Sequence, residues 1–307
     1  MSSPVVATLL PQLIRIRSKG NDRVKFLHNF CTNDINSMGA GTACEAFFTS
    51  VKARILGHGY VLAGTEHHEI WMLPGNEDSL LKHLNRYIIS EDVTFESMTG
   101  GLAAMAVIGQ IPASLVRSER NGPKTWTDTR VEDVNVTCLR LHWAGQSLTL
   151  MSGPQLAIET LQIRIVEHGR TGRWEEFERL RILERFPLIG RDLTDDHLAP
   201  EAARNTSAIC YTKGCYLGQE PIARIDAMGQ VNRVLATVEL QTEELQTEFL
   251  ESETACQLTS VDNKHSTAVG LAMVKADNIL SGSTLVQSSD NSLFSAKISQ
   301  PRSLTGD

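Results

Sequence analysis

Lys213-Gly214-Cys215-Tyr216-Leu217-Gly218-Gln219-Glu220, continued by Pro221-Ile222-Ala223-Arg224, is the chemically densest stretch of the chain. Eight residues bring a thiol, an amine, a carboxylate, an amide, a phenol and two glycines together. The glycines mark turns or places of close backbone approach. Cys215 lies two residues after a cation. A Lys213 ammonium reaching its sulfur favours the thiolate, making Cys215 a nucleophile or a soft metal ligand. Glu220 supplies a proton acceptor, and Gln219 both donates and accepts hydrogen bonds. The plainer alternative is a tight turn with a buried cysteine and a surface Lys/Glu pair.

The pattern K-G-C-Y-x-G-Q-E followed by x-x-A-R resembles the signature of the YgfZ-type folate-binding proteins. These are relatives of the glycine-cleavage T-protein, an aminomethyltransferase, and of mitochondrial iron–sulfur assembly factors. The resemblance implies an α+β chain with the aminomethyltransferase-like folate-binding fold, built from ferredoxin-like units and closed by a small C-terminal antiparallel β-barrel. It implies tetrahydrofolate or a derivative as cofactor and iron–sulfur enzymes as clients, including ones that thiolate tRNA. In that reading Cys215 and Lys213 carry the chemistry, and Tyr216, Gln219, Glu220 and Arg224 border the cofactor.

Length and composition leave room for this. The 307 residues suffice for two domains at roughly 150 each. The net charge of −7 disfavours a protein whose main task is to coat nucleic acid, so no stable nucleic-acid complex is expected. None of the six cysteines forms a C-x-x-C pair, and their spacing suits neither a zinc site nor a disulfide framework. A reducing, cytoplasmic setting is expected. Residues 1–11 lack the basic start and apolar run of a signal peptide, and no run of about 18 apolar residues reads as a membrane span.

Read in order, Leu13 to Arg17 predicts a first strand. Asn21 or Asp22 then caps a helix through Val24, Leu27, Phe30 and Cys31. Gly20 to Asp34 reads G-x-x-x-x-x-F-L-x-x-x-x-T-N-D and resembles the N-terminal motif of the T-protein superfamily. That resemblance places Asn33 and Asp34 beside the folate pocket, where composition alone says only a turn. Ala46 to Leu62 predicts two strands around Lys52-Ala53-Arg54. Asp78 predicts the cap of a helix through Leu80, Leu81, Leu84, Tyr87 and Ile88. Pro112 predicts a helix start, Val131 to Met151 a β-rich stretch, and Pro154 a helix with Leu156, Leu161 and Ile165 near one face. The order β-α-β-β-α-β, met roughly twice, suggests two ferredoxin-like units. Trp174, Phe177, Leu180 and Leu183 predict a helix. Short strands from Val231 onward suggest the barrel, with Gln241 to Glu253 a polar insertion. The domains are accordingly 1–229 and 230–307. His67-His68 stands beside a strand, where neighbours point to opposite faces, so no metal pair is expected.

Three departures from the family pattern stand out. Thr49-Ser50-Val51-Lys52-Ala53-Arg54 keeps two basic residues of a C-D-x-K-G-R turn but not its Cys-Asp pair or its glycine. Gly57-His58 occupies the place of the T-protein's paired aspartates. In Arg181-Ile182-Leu183-Glu184-Arg185-Phe186-Pro187, read against R-x-E-x-G-x-P, Leu183 replaces the glutamate that binds the pterin and Arg185 replaces the glycine. A leucine cannot accept the pterin's N–H groups, and Glu184 sits about 100° further round a helix. Lys52, Arg54 and Arg224 are candidates for the anionic tail of a folate.

The first functional reading is a folate-binding accessory protein for iron–sulfur enzymes. The second is a tetrahydrofolate-dependent aminomethyltransferase or other one-carbon transferase. The third is a non-catalytic binding module with a degenerate folate pocket. All place one pocket among the Thr32–Asp34 loop, the Lys52–Arg54 turn, the Trp174–Leu183 helix and the Lys213–Arg224 motif, with Cys215 at its rim.

Overall fold

A computed structural model describes residues 4–116, 122–131, 133–229, 231–244, 256–262, 267–287 and 293–299. Two sheets stack face to face. The first runs Ala43–Thr49, Ile55–Ala63, His68–Met72, Ile14–Lys19 and Thr94–Ser97 in spatial order. The second runs Gly169–Thr171, Val5–Leu10, Leu102–Ile108, Gln146–Pro154, Val134–Trp143 and Thr125–Val131.

Alternation along the strands builds both layers. Tyr60, Leu62 and Trp71 of the first sheet meet Ala104, Ala106, Leu139, Leu141, Trp143 and Leu150 of the second in a shared core. On the other face of the first sheet, Ala46, Phe48, Val61 and Ile70 pack under helices Arg23–Phe30 and Glu77–Arg86 through Phe26, Leu27, Leu80 and Leu84. The outer face of the second sheet is covered by Gln155–Val166 through Ala157, Ile158, Leu161 and Ile165. Burying each such large apolar side chain contributes about 1.5–3 kcal/mol.

Five strands, Arg233–Glu244, Cys256–Asp262, Val269–Lys275, Ser283–Gln287 and Leu293–Ser299, close into the C-terminal barrel. The barrel is keyed to helix Trp174–Glu184 by the fully buried Arg181, which bonds Glu178, Asp192 and Ser260 Oγ. The α+β class and the barrel are as read from the sequence. The proposed boundary after residue 229 falls between helix Gln219–Met228 and the barrel's first strand.

Several expectations are corrected. Val5–Leu10, for which the sequence predicts no element, is an inner strand of the second sheet. No helix begins at Pro112; the Leu115 and Val116 amides turn back on its carbonyl. The cap of Glu77–Arg86 is Asn76, whose Oδ1 accepts from the Ser79 amide, rather than Asp78. Leu156 is 74% exposed, outside the buried face of its helix. One barrel pairing, Cys256–Gln257 with Val286–Gln287, is parallel. Most of the expected insertion, residues 245–253, lies outside the described residues. No described helix is long and apolar enough to cross a membrane.

Candidate functional site

The 213–220 motif forms a loop that turns into helix Gln219–Met228. Lys213 fastens the loop. Its side chain is buried, and its ammonium donates to the carbonyls of His28, Cys31 (2.9 Å) and Asn33 (2.8 Å). An ammonium has three donors, and all three are engaged. The expectation that Lys213 holds the Cys215 thiolate is therefore corrected: it straps the motif to the end of helix Arg23–Phe30. Burial depresses its pKa. The same ammonium lies 4.9 Å from the ring centre of the buried Tyr216.

Further bonds tie the motif down. The Cys210 amide donates to Thr32 O, the Leu217 amide to Asn29 O, and Thr49 Oγ1 to Leu217 O. Gly218 has φ +84°, and a Cβ there would stand 2.6 Å from Ser50 O and 2.7 Å from Thr49 Oγ1, so only glycine fits. Within this held frame Cys215 is exposed, whereas Cys31, Cys138 and Cys256 are buried. Burial pushes up the thiol pKa values of Cys31 and Cys138, that of Cys138 to about 12. Among the described residues no three His, Cys, Asp or Glu side chains converge as a metal site.

The other named residues divide. Glu220 and Arg224 are exposed on the first turns of helix Gln219–Met228, and Gln219 is half-buried. Asn33 is committed to the scaffold: Nδ2 donates to Glu45 O and Ser207 O, and Oδ1 accepts from the Asp34 amide. Asp34 accepts from the amides of Asn36 and Ser37 and pairs with His28 Nδ1 at 3.1 Å. Both hold the loop rather than reach out of it. The Lys52–Arg54 turn abuts Gly218, with Lys52 exposed and the Arg54 guanidinium on Asp196 O. Ala53 takes φ +60° where the family turn has glycine.

Sequence reasoning missed the core of the region. Glu45 and Arg204, 159 residues apart, form a buried two-pronged pair, with Nε to Oε1 at 2.8 Å and Nη2 to Oε2 at 2.6 Å. Arg204 also donates to the carbonyl and carboxylate of Glu184, whose other oxygen accepts from the Ala144 amide. His58 Nε2 lies 2.8 Å from Glu45 Oε1. Burial would raise the Glu45 pKa, but the charge and hydrogen bonds of Arg204 outweigh it and hold the carboxyl far below the usual range. Burial lowers the His58 pKa against the pull of Glu45. The imidazole is fully buried, with ring centres 4.4 Å from both Phe47 and Phe186.

This network links the Trp174–Glu184 helix to the Asn33 loop. The helix ends at Glu184, and Arg185 caps it with φ +57° where the family has glycine. Glu45, Tyr60, Trp143, Glu184, Arg204 and Ser207 help line a cavity of about 100 Å³, far below the roughly 300 Å³ at which ligand pockets begin. The residues present do not fit the family's grip on a pterin. Leu183 has no acceptor, Glu184 is held by Arg204 and Ala144, and Glu45 is buried and held by Arg204 and His58.

No protein-family model matches the chain. It is 27% identical over 249 residues to a putative chloroplastic transferase of Arabidopsis thaliana, 77% of this chain and 56% of that one. It is 23% identical to the tRNA-modifying protein YgfZ of Colwellia psychrerythraea, covering 74% of this chain and 69% of that one. It is 26% identical to the mouse mitochondrial iron–sulfur cluster assembly factor IBA57, covering 74% and 64%. The chain thus spans less than two thirds of two of these three relatives. In structure it resembles the glycine-cleavage aminomethyltransferase T of Bartonella henselae, with TM-score 0.78 at 14% identity over 98% of this chain and 86% of that one. The resemblance to the YgfZ-type proteins and the aminomethyltransferase-like fold are borne out by these relatives.

Proposed function

We propose that this chain is an accessory protein that supports assembly or repair of iron–sulfur enzymes, tRNA-modifying ones among them, and does so through Cys215. The observation that carries the reading is the held motif: a buried ammonium on three carbonyls keeps the loop rigid while its one cysteine faces outward. A single thiolate does not hold a stable cluster, which takes four ligands, but it can ligate iron in passing or take part in thiol exchange. The names of the YgfZ and IBA57 relatives support the client class.

Folate enters this proposal only as a weak ligand, because the pterin grip is missing; Lys52 and Arg224 remain exposed cations for a glutamyl tail. Aminomethyl transfer is the disfavoured alternative. It needs a carboxylate facing the folate nitrogen, and that position holds His58, sealed between two phenylalanines. The test is complementation of a bacterium lacking its YgfZ-type protein, read as thiolated tRNA nucleosides by mass spectrometry. Wild type restores them and Cys215→Ser does not. Equal restoration by Cys215→Ser sinks the proposal. Calorimetry with tetrahydrofolate adds a second arm. Leu183→Glu binds more tightly than wild type by roughly ten-fold, the size of one charged hydrogen bond.

A further inference from the structure

The outer face of the second sheet carries a group that the site above does not use. On the hairpin of Val134–Trp143 and Gln146–Pro154, Arg140 stands opposite Thr149, and His142 opposite Ser147. Paired residues of an antiparallel ladder share a face, so all four side chains lie on one side. That side is covered by helix Gln155–Val166 around Cys138 and Met151. Past them it faces residues 109–116 and Gly122–Pro123 across a cavity of about 490 Å³. This volume is within the usual range for small-molecule sites, about 300–1,000 Å³.

The lining is chemically one-sided. Among the described residues, Gln110, Arg140, His142, Ser147 and Thr149 supply the polar groups, Ile111, Val116 and Pro123 are among the apolar ones, and no Asp or Glu contributes. Arg140 Nη1 is buried and has no hydrogen-bond partner among the described residues. A buried guanidinium donor without an acceptor is costly to fold, and an anion placed there relieves it. The Gln110 amide already donates to Ser147 Oγ at 2.8 Å, which leaves Arg140 as the principal unmet donor. Pro123, Leu141 and His142 also border the small cavity at Glu45, but the Glu45 carboxylate is already held by Arg204.

We propose that this cavity binds a small organic carboxylate, its head on Arg140 and its apolar body against Ile111, Val116 and Pro123. The planar guanidinium matches a carboxylate in a two-bond fork. A phosphate dianion is the poorer fit, since among the described lining residues one arginine has to balance it, with no described helix N-terminus beside it.

Calorimetry on the full chain tests this with benzoate, its neutral counterpart benzamide, and phenyl phosphate. Benzoate binds saturably, and the other two bind at least about ten-fold more weakly. Arg140→Gln loses at least about ten-fold in benzoate affinity, while its melting temperature stays the same or rises, because the buried Nη1 has no partner among the described residues to lose. Ala113→Trp, filling an exposed lining position, blocks binding with an unchanged circular dichroism spectrum. Cys215→Ser binds as wild type. The proposal fails if benzoate shows no saturable heat up to about 10 mM, or if phenyl phosphate binds more tightly. It fails equally if Arg140→Gln binds unchanged or melts lower, or if Ala113→Trp leaves affinity intact.

Discussion

Replacing Lys213 with methionine separates two roles for the motif's lysine. As an activator, it would stabilise the Cys215 thiolate, and its loss would slow alkylation. As a strap, it holds three carbonyls at the end of helix Arg23–Phe30 and in the following loop. A hydrogen bond to a charged group contributes about 1.5–3 kcal/mol, and one substitution releases all three acceptors together. The bonds are not additive, so a loss of about 3–5 kcal/mol is the working figure, a large share of a total of about 5–15 kcal/mol. Urea unfolding gives this number. Alkylation by iodoacetamide with peptide mapping, on protein folded in buffer, gives the other. Lys213→Met labels Cys215 at the wild-type rate or faster, because the loop is loosened and no thiolate stabiliser is lost. A destabilisation below about 1 kcal/mol, together with slower labelling, would falsify the strap and restore the activator.

Arg185→Gly removes a left-handed residue that bears a side chain, at a helix cap with φ +57°. It also removes a guanidinium whose pKa burial and Arg204 lower to about 10 and whose Nη1 has no partner. It raises stability by about 1 kcal/mol; a lower urea midpoint counts against it. Arg204→Met leaves Glu45 buried without its guanidinium and costs about 3–5 kcal/mol, measured by the same unfolding curves. A change below 1 kcal/mol, roughly the value of a surface pair, would show the network to be solvated. His68 has its pKa lowered from 6.5 to about 4, first by burial and then by Arg23. The unfolded chain therefore binds more protons between pH 6.5 and 4, and stability falls as pH drops through that window. His68→Gln flattens this part of the pH–stability curve, and an unchanged slope refutes the assignment.

How much was legible depended on where the partners lay. The 213–224 motif, the first helix and the paired strands at Lys52–Arg54 were readable, because their signals are local periods and turn residues. Val5–Leu10 was not: its ladder partners are Ala104–Ile108 and Gly169–Thr171, far along the chain, and six mostly apolar residues carry no decisive period. The partners of Lys213 are backbone carbonyls, which no residue letter announces. Glu45 did leave a signal. It is the lone acid in Ala43–Thr49, a strand otherwise apolar enough to be buried on both faces, and a buried carboxylate demands a cation. The sequence does not say which cation, since Arg204 lies in a separate loop.

The family departures at 58, 183 and 185 look unrelated in sequence, but they fall along one physical chain. His58 bonds Glu45, Glu45 bonds Arg204, and Arg204 bonds both the carbonyl and the carboxylate of Glu184. Leu183 precedes that glutamate and Arg185 follows it as the cap. Around them Phe47, Phe186, Tyr60 and Trp143 stack and close the centre. A pterin would have to break the Glu45–Arg204 pair and leave a buried charge behind, a cost comparable to the binding energy it brings. The motif half of the region bears no such cost. Its loop is held from below by Lys213, and Cys215 reaches solvent without disturbing the core. A thiol function at the surface and a closed core behind it are therefore independent. Leu183 is 41% exposed, so Leu183→Glu adds an acceptor beside the closed core without opening it, and should change folate affinity while leaving Cys215 labelling unaltered.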